Sequence, residues 1–238
     1  MDVLVGKLLF NNEIDAMAFH RGFMHSFLFA ILAAVGFGML VFWMYNRGKR
    51  YGMTTKKEWM WLFFASIFTH PILDSFTAYG TQLFSPFSNY RVAFNNIAVA
   101  DPMYTLPFLI ALIIMMCFKR TSTKRRLFLQ IGLGISSLYM LLTLVNKYHV
   151  HGVYKQALAD QQIDYFRFQT QPTILNNILW YGIAETTDAY FVGFYSILDT
   201  EATINKWHKL PKNHELIEGM PTDLETLAWF SDGYYNLN

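Results

Sequence analysis

Residues Phe23 to Tyr45 form a stretch of 23 positions without a lysine, arginine, aspartate or glutamate. At about 1.5 Å per helical residue that stretch is roughly 34 Å long, enough to cross the hydrocarbon core of a bilayer. A chain that contains it must bury it or place it in lipid, and composition favours lipid. Of 238 residues, 53% are hydrophobic and only 15% charged, whereas soluble domains run nearer a quarter charged. Three more apolar stretches precede residue 150: Trp59 to Leu73, Met103 to Phe118 with Pro107 inside it, and Leu127 to Val145. The expected fold is mainly α, a polytopic membrane helical bundle of about four spans over residues 1–150. A small α+β extramembrane domain is expected over 151–238.

Basic residues set the expected orientation. The segment 46–57 holds Arg47, Lys49, Arg50, Lys56 and Lys57, and 119–126 holds five more, so ten of the 19 basic residues lie in two short loops. By the positive-inside rule those loops are cytoplasmic and the opposite helix ends face outward. Residues 147–238 carry 6 Lys and Arg against 11 Asp and Glu and have no membrane-length apolar run. Within them, 179–198 reads as a β-hairpin turning at Glu185-Thr186-Thr187-Asp188. PTDLETLAWFSDG reads as a capped helix that starts at Thr222 or Asp223 and stops before Gly233. A formal charge of +2 gives no basis for a nucleic-acid partner. The single Cys117 excludes an internal disulfide framework and a cysteine zinc site.

The rare polar residues of the apolar region fall in two groups. HRGFMHS at 20–26 opens the first stretch with His20, Arg21, His25 and Ser26, and HPILD at 70–74 closes the second with His70 and Asp74. Helical rise puts Asp74 roughly 24 Å and His70 roughly 18 Å above Glu58, and His25 roughly 33 Å above Arg47, all in the outer half of the membrane. His70 and Asp74, four residues apart, project from one helix face. His20 and His25, five apart, diverge on a straight helix and converge only if the chain turns near Gly22. Ionisable groups at such depth are costly unless they pair, face water or hold an ion. Imidazole with carboxylate is a ligand set that suits Zn²⁺ or another divalent transition metal. A metal there would bring the pKa of a coordinated water towards ~7 and polarise a phosphoryl or carbonyl oxygen. Arg21 would suit an anionic oxygen through its planar donor fork.

The plainer reading of each residue alone is structural. A single interfacial histidine usually bonds a carbonyl or water, and one His-x-x-x-Asp pair is a weak signal; two groups at one membrane level carry the expectation of a site. Asp2 joins it if residues 2–20 reach the outer face. Arg91, the only strong base between Ser75 and Pro102, is expected to bind substrate or to pair with Asp101. Asp101 faces the cavity or caps the third stretch. His149, His151, His208 and His214 read as solvated or structural.

HRGFMHS at 20–26, HPILDSFTAYGTQLFSPFSNYR at 70–91 and DPMYT at 101–105 resemble the YdjM-like family of bacterial inner-membrane proteins predicted to be metal-dependent hydrolases. The tail, including QPTILNNILWYGIAETTDAYFVGFYSILD at 171–199, resembles the one that follows this core in many members. The family is thought to be distantly similar to zinc-dependent phospholipase C and S1/P1 nuclease proteins. The resemblance implies a metal-dependent hydrolase of a phosphoester or ester in a lipid or envelope substrate, using a metal-activated water. It implies His20, His25, His70, Asp74 and Asp2 as ligands of a divalent metal, Zn²⁺ first and Mn²⁺ as the alternative. Asp74 or Asp2 would serve as ligand or base, and Arg21 would contact substrate or support the metal ligands from behind. Met1-Asp2-Val3-Leu4 looks like the end of a family Pro-Asp-x-Asp block that a helical hairpin normally precedes, so either an N-terminally truncated form or a divergent member is expected. The competing expectation is a non-enzymatic membrane module whose acidic outer domain binds an envelope partner.

Overall fold

The computed structural model describes Ile14, residues 22–216 and residues 222–237. They fall into two compact units, one drawn from 1–94 and 218–233, the other from 95–217 and 234–238. The expected domain boundary at 150 lies within a continuous helix.

In the first unit, helix α1 (Phe27–Tyr45) and helix α2 (Lys56–Asp74) pack side by side as a hairpin. Ser26 caps α1 by accepting a hydrogen bond from the Phe29 amide. Thr55 and Glu58 form a reciprocal capping box at the start of α2, which satisfies two amides that a helix start leaves orphaned. The buried residues of α1 are Ala30, Ala33, Ala34 and Gly38, a strip of small side chains of the kind that lets two backbones approach closely in lipid. A Cβ on Gly38 would sit 2.8 Å from the Met60 backbone, so the helices touch there almost main chain to main chain. Aromatic pairs Phe27–Phe68, Phe37–Phe63 and Tyr45–Trp59 line the rest of the seam.

In the second unit, helix α3 (Pro102–Met116) packs on helix α4 (Thr123–Asp160). Gly132 of α4 abuts Ala111 of α3, and the Ser136 hydroxyl donates to the Tyr104 carbonyl at 3.3 Å. After α4 the chain forms a four-stranded antiparallel sheet in simple order: β1 (Arg167–Pro172), β2 (Leu179–Glu185), β3 (Ala189–Ser196) and β4 (Trp207–Pro211). The β2–β3 register pairs Trp180 with Tyr195 and Gly182 with Gly193. The C-terminal half of α4 lies on this face. Val150, Val153, Tyr154 and Ala157, one turn apart on α4, bury themselves against Trp180, Tyr195 and Ile204. The Tyr154 ring occupies the space left by Gly182, where a Cβ would be 2.4 Å away, and its hydroxyl donates to the Gly193 carbonyl at 2.7 Å.

The structure is thus helical in its N-terminal part with a small antiparallel sheet towards its C-terminus. It corrects the expectation of four spans. Among the described residues, only α1 at 19 residues and α4 at 38 are long and apolar enough to cross a membrane. Helix α2 carries Lys56, Lys57 and Glu58 in its first turn and Asp74 in its last; α3 has 15 residues, about 22 Å. In both span candidates only 17% of the most apolar window is buried, unlike the core helix of a soluble protein, whose apolar surface faces inward.

Candidate metal centre

The break between His25 and α1 shapes the site. Gly22 leads into a single 3₁₀ turn, Phe23–His25, and Ser26 then adopts extended backbone before α1 begins. His25 therefore does not ride on the first span but sits on a turn ahead of it. The Phe27 amide donates to the Leu83 carbonyl at 3.0 Å, which ties this turn to the loop that follows α2. On the other side, Pro71 lies inside the last turn of α2 and is buried. The Ser75 hydroxyl donates to the Pro71 carbonyl at 2.8 Å and the Thr77 hydroxyl to the Asp74 carbonyl at 2.7 Å. The same two carbonyls also accept the Ser75 amide at 3.1 Å and the Thr77 amide at 3.0 Å, so each is held twice at the helix end. These bonds fix the backbone of the residue that carries the carboxylate.

The hairpin brings the two ends together. His25 Nε2 lies 3.4 Å from Asp74 Oδ2, and His70 Nε2 lies 3.6 Å from the same oxygen. The imidazole rings of His25 and His70 are 5.0 Å apart at an angle of 43°. One ligand atom from each of the three residues falls within 4.8 Å of the others. Zinc bonds of 2.0–2.2 Å in a tetrahedron separate neighbouring ligand atoms by roughly 3.4 Å, so the two distances to Asp74 already match a shared ion. The donor set of two imidazoles and one carboxylate fits zinc or manganese chemistry. The His25 side chain is 5% exposed and that of Asp74 17%, but the His70 side chain is 64% exposed. Two donors are thus largely shielded and the third faces outward.

The other expected site residues divide. Asp2, His20 and Arg21 lie outside the described residues. Arg91, expected to contact substrate, is engaged by the protein itself. One Nη donates to the carbonyls of Trp229 (2.8 Å) and Phe230 (2.7 Å), the other to Tyr79 (3.1 Å). The guanidinium also lies over the Trp229 and Phe230 rings. Trp229 and Phe230 end helix α5 (Thr222–Phe230), so Arg91 places a cation where the helix dipole is negative and caps its last carbonyls. Burial lowers its pKa and Asp232 acts the other way. Asp101, in the second unit, is the N-cap of α3. It accepts from the Met103 amide at 2.9 Å and from the Tyr139 hydroxyl at 2.8 Å, and is buried. Neither the capping arginine nor the hydroxyls of Ser75 and Thr77 stood out in the sequence as parts of a frame. The available signal for the latter was a Ser and a Thr directly after a helix-ending aspartate.

A family model described as YdjM inner membrane protein matches residues 1–150. Comparison with curated proteins and with solved structures gives no match. The matched region covers the 3₁₀ turn, α1, α2 and all three clustered donors, and it ends within α4 before the sheet begins. The chain therefore belongs to the YdjM inner membrane protein family.

Proposed function

We propose that this inner membrane protein is a metal-dependent hydrolase that cleaves a phosphoester or ester in a lipid or envelope substrate. The observation that carries the reading is the convergence of His25, His70 and Asp74, whose ligand atoms lie within 4.8 Å of one another at one end of the α1–α2 hairpin. His20 and Asp2 are the proposed additional ligands, on family resemblance alone. When bound, a divalent metal at such a site supplies Lewis acidity and a water of lowered pKa.

The rest of the chemistry belongs to the chain. Asp74 gives one carboxylate oxygen to the neighbourhood of both imidazoles and neutralises positive charge there. Buried His25 holds its ring in one place on a turn fixed from Ser26 and Leu83. Exposed His70 leaves the cluster open on one side, as catalytic sites require and closed structural sites do not. Arg21 would offer its donor fork to a phosphoryl oxygen.

The chain is further proposed to be multi-pass, with the cluster on the extracytoplasmic side. Arg47, Lys49, Arg50, Lys56 and Lys57 lie at or beside the α1–α2 connection. That connection follows the end of α1, and the cluster lies at the start of the same 19-residue helix, about 28 Å away. The positive-inside rule puts that connection in the cytoplasm.

The test is hydrolysis by the purified full-length protein in detergent, supplied with zinc or manganese. The panel is bis(p-nitrophenyl) phosphate, p-nitrophenyl esters and phosphatidylglycerol. Turnover of at least one class is expected. His70→Ala and Asp74→Ala should lose at least the ~100-fold that even outer-shell partners of a metal can cost, with unchanged circular dichroism. Folded protein without turnover on any of the three would favour the non-enzymatic membrane module.

A further inference from the structure

The loop that joins β1 to β2 presents an apolar tip to solvent. Ile174 is 82% exposed, Leu175 54% and Ile178 45%, in a segment, TILNNI at 173–178, without a single charge. Leu179 and Phe194 extend the exposed apolar surface along the sheet face opposite α4. Isolated exposed aliphatics need no explanation, but a run of them on one loop marks an interaction surface.

Where the loop sits identifies its occupant. Strand β1 meets α4 at successively earlier helix positions. Phe168 stacks on His151 at 4.5 Å, Thr170 accepts hydrogen bonds from Lys147, and beyond the strand Asn177 Oδ1 accepts from Asn146 at 2.8 Å. The chain thus runs back along α4 towards the apolar stretch 127–145. The tip arrives at the level where that stretch ends. Tyr148, 85% exposed on α4 at the same level, is the residue type that gathers at membrane–water interfaces.

The base of the loop is held by side-chain and main-chain hydrogen bonds. Asn176 Oδ1 accepts from the amides of Ile178 and Leu179, and its Nδ2 donates to the Ile174 carbonyl and the Thr173 hydroxyl. The Thr173 amide donates to the Leu179 carbonyl at 2.9 Å. Polar main-chain groups that enter lipid must be paired internally, and here a single asparagine pairs two amides and one carbonyl at the base of the loop. Leu175 adopts φ +65°, a conformation disfavoured for a large side chain, which exposes it at the apex.

We infer that the β1–β2 loop inserts Ile174, Leu175 and Ile178 into the lipid leaflet from which α4 emerges, anchoring the sheet to the membrane surface. This rests on the reading that α4 crosses the bilayer. The occupant is the boundary between headgroups and acyl chains, because the tip is uncharged and reaches only the end of the apolar stretch.

The test uses full-length protein with Cys117→Ser, reconstituted in phosphatidylethanolamine–phosphatidylglycerol vesicles. Single variants Ile174→Cys, Leu138→Cys and Thr187→Cys carry an environment-sensitive fluorophore, and nitroxide-bearing lipids act as quenchers. Leu138 is on the exposed face of α4 within the apolar stretch; Thr187 lies in the β2–β3 turn at the other end of the sheet. Expected is quenching of the Ile174 probe by shallow nitroxides, of the Leu138 probe by deep ones, and of the Thr187 probe by neither. If the Leu138 probe is quenched while the Ile174 probe behaves like that at Thr187, the inference is overturned and the spanning helix stands. An Ile174 probe shielded from aqueous iodide yet untouched by lipid nitroxides would mean that protein covers the loop, which also overturns it. An unquenched Leu138 probe would overturn both.

Discussion

Asp74 and Glu185 are carboxylates with two nitrogen-bearing neighbours each, and the neighbours separate their roles. Glu185 bridges two permanent cations, with Arg167 Nε at 2.6 Å from one oxygen and Lys212 Nζ at 2.7 Å from the other. It ties β1 to the segment after β4 and has no unused charge to offer. Asp74 instead faces two imidazoles, side chains that are metal ligands by habit. Burial alone would raise the Glu185 pKa, but the hydrogen bonds from Lys212 and Arg167 outweigh it and hold the carboxyl below its ordinary value. A depressed folded-state pKa contributes stability that is present above the unfolded value, about 4.3, and lost as pH falls through the folded one. Thermal unfolding followed by tryptophan fluorescence should therefore show the melting temperature fall on acidification below about pH 4.3. Glu185→Gln should cost about 1–3 kcal/mol at neutral pH and flatten that acid limb. Parallel pH profiles for the two proteins would contradict this role.

At the scale of elements, glycines mark where two backbones or a backbone and a ring must touch. Gly38 faces the Met60 main chain, while Gly36, two residues away on the same helix, has nothing within 4 Å of its would-be Cβ. Gly38→Ala should thus destabilise the full chain by about 1–3 kcal/mol through overpacking, and Gly36→Ala should be neutral or slightly stabilising through helix propensity. Equal melting temperatures for the two variants would refute the close-approach account. The sequence made some elements legible and others not, for physical reasons. The hairpin β2–β3 showed itself because alternating apolar residues flank a polar turn, and α5 because Thr and Asp start it and Asp232-Gly233 stop it. The Gly233 amide donates to the Ala228 carbonyl at 2.7 Å, as a helix-ending motif with positive φ at Asp232 requires. Strands β1 (RFQTQP) and β4 (WHKLP) lack such alternation, since β1 holds polar residues on both faces. Hydropathy changes near His149 and suggests a boundary at 150, although α4 runs ten residues further, to Asp160. The helix continues because Val150, Val153, Tyr154 and Ala157 form an apolar stripe that the sheet covers.

For the whole molecule, the count of spans was the part least legible in sequence. Apolar runs announce helices, but length and flanking charge decide which can cross a bilayer, and α2 and α3 fall short by those measures. The His25, His70 and Asp74 cluster was more legible, because MHS at 24–26 and HPILD at 70–74 place scarce polar groups at the two helix ends that a hairpin must join. What periodicity left open was how His25 turns towards Asp74, and the 3₁₀ turn at Phe23–His25 supplies that. The proposed orientation is open to test in intact cells, with Cys117→Ser as background and an impermeant maleimide. Phe87→Cys, in the loop after α2, should be labelled from outside, and Tyr51→Cys, in the basic connection, only after permeabilisation; the reverse pattern would invert the topology. The central claim, that His25, His70 and Asp74 together hold a divalent cation, is best tested by metal analysis of the full-length protein after equilibration with zinc and removal of the excess. At least one equivalent per chain should remain bound, and His25→Ala, His70→Ala and Asp74→Ala should each lose it while His208→Ala keeps it. A wild-type chain that retains no metal, or three variants that retain as much as wild type, would contradict it.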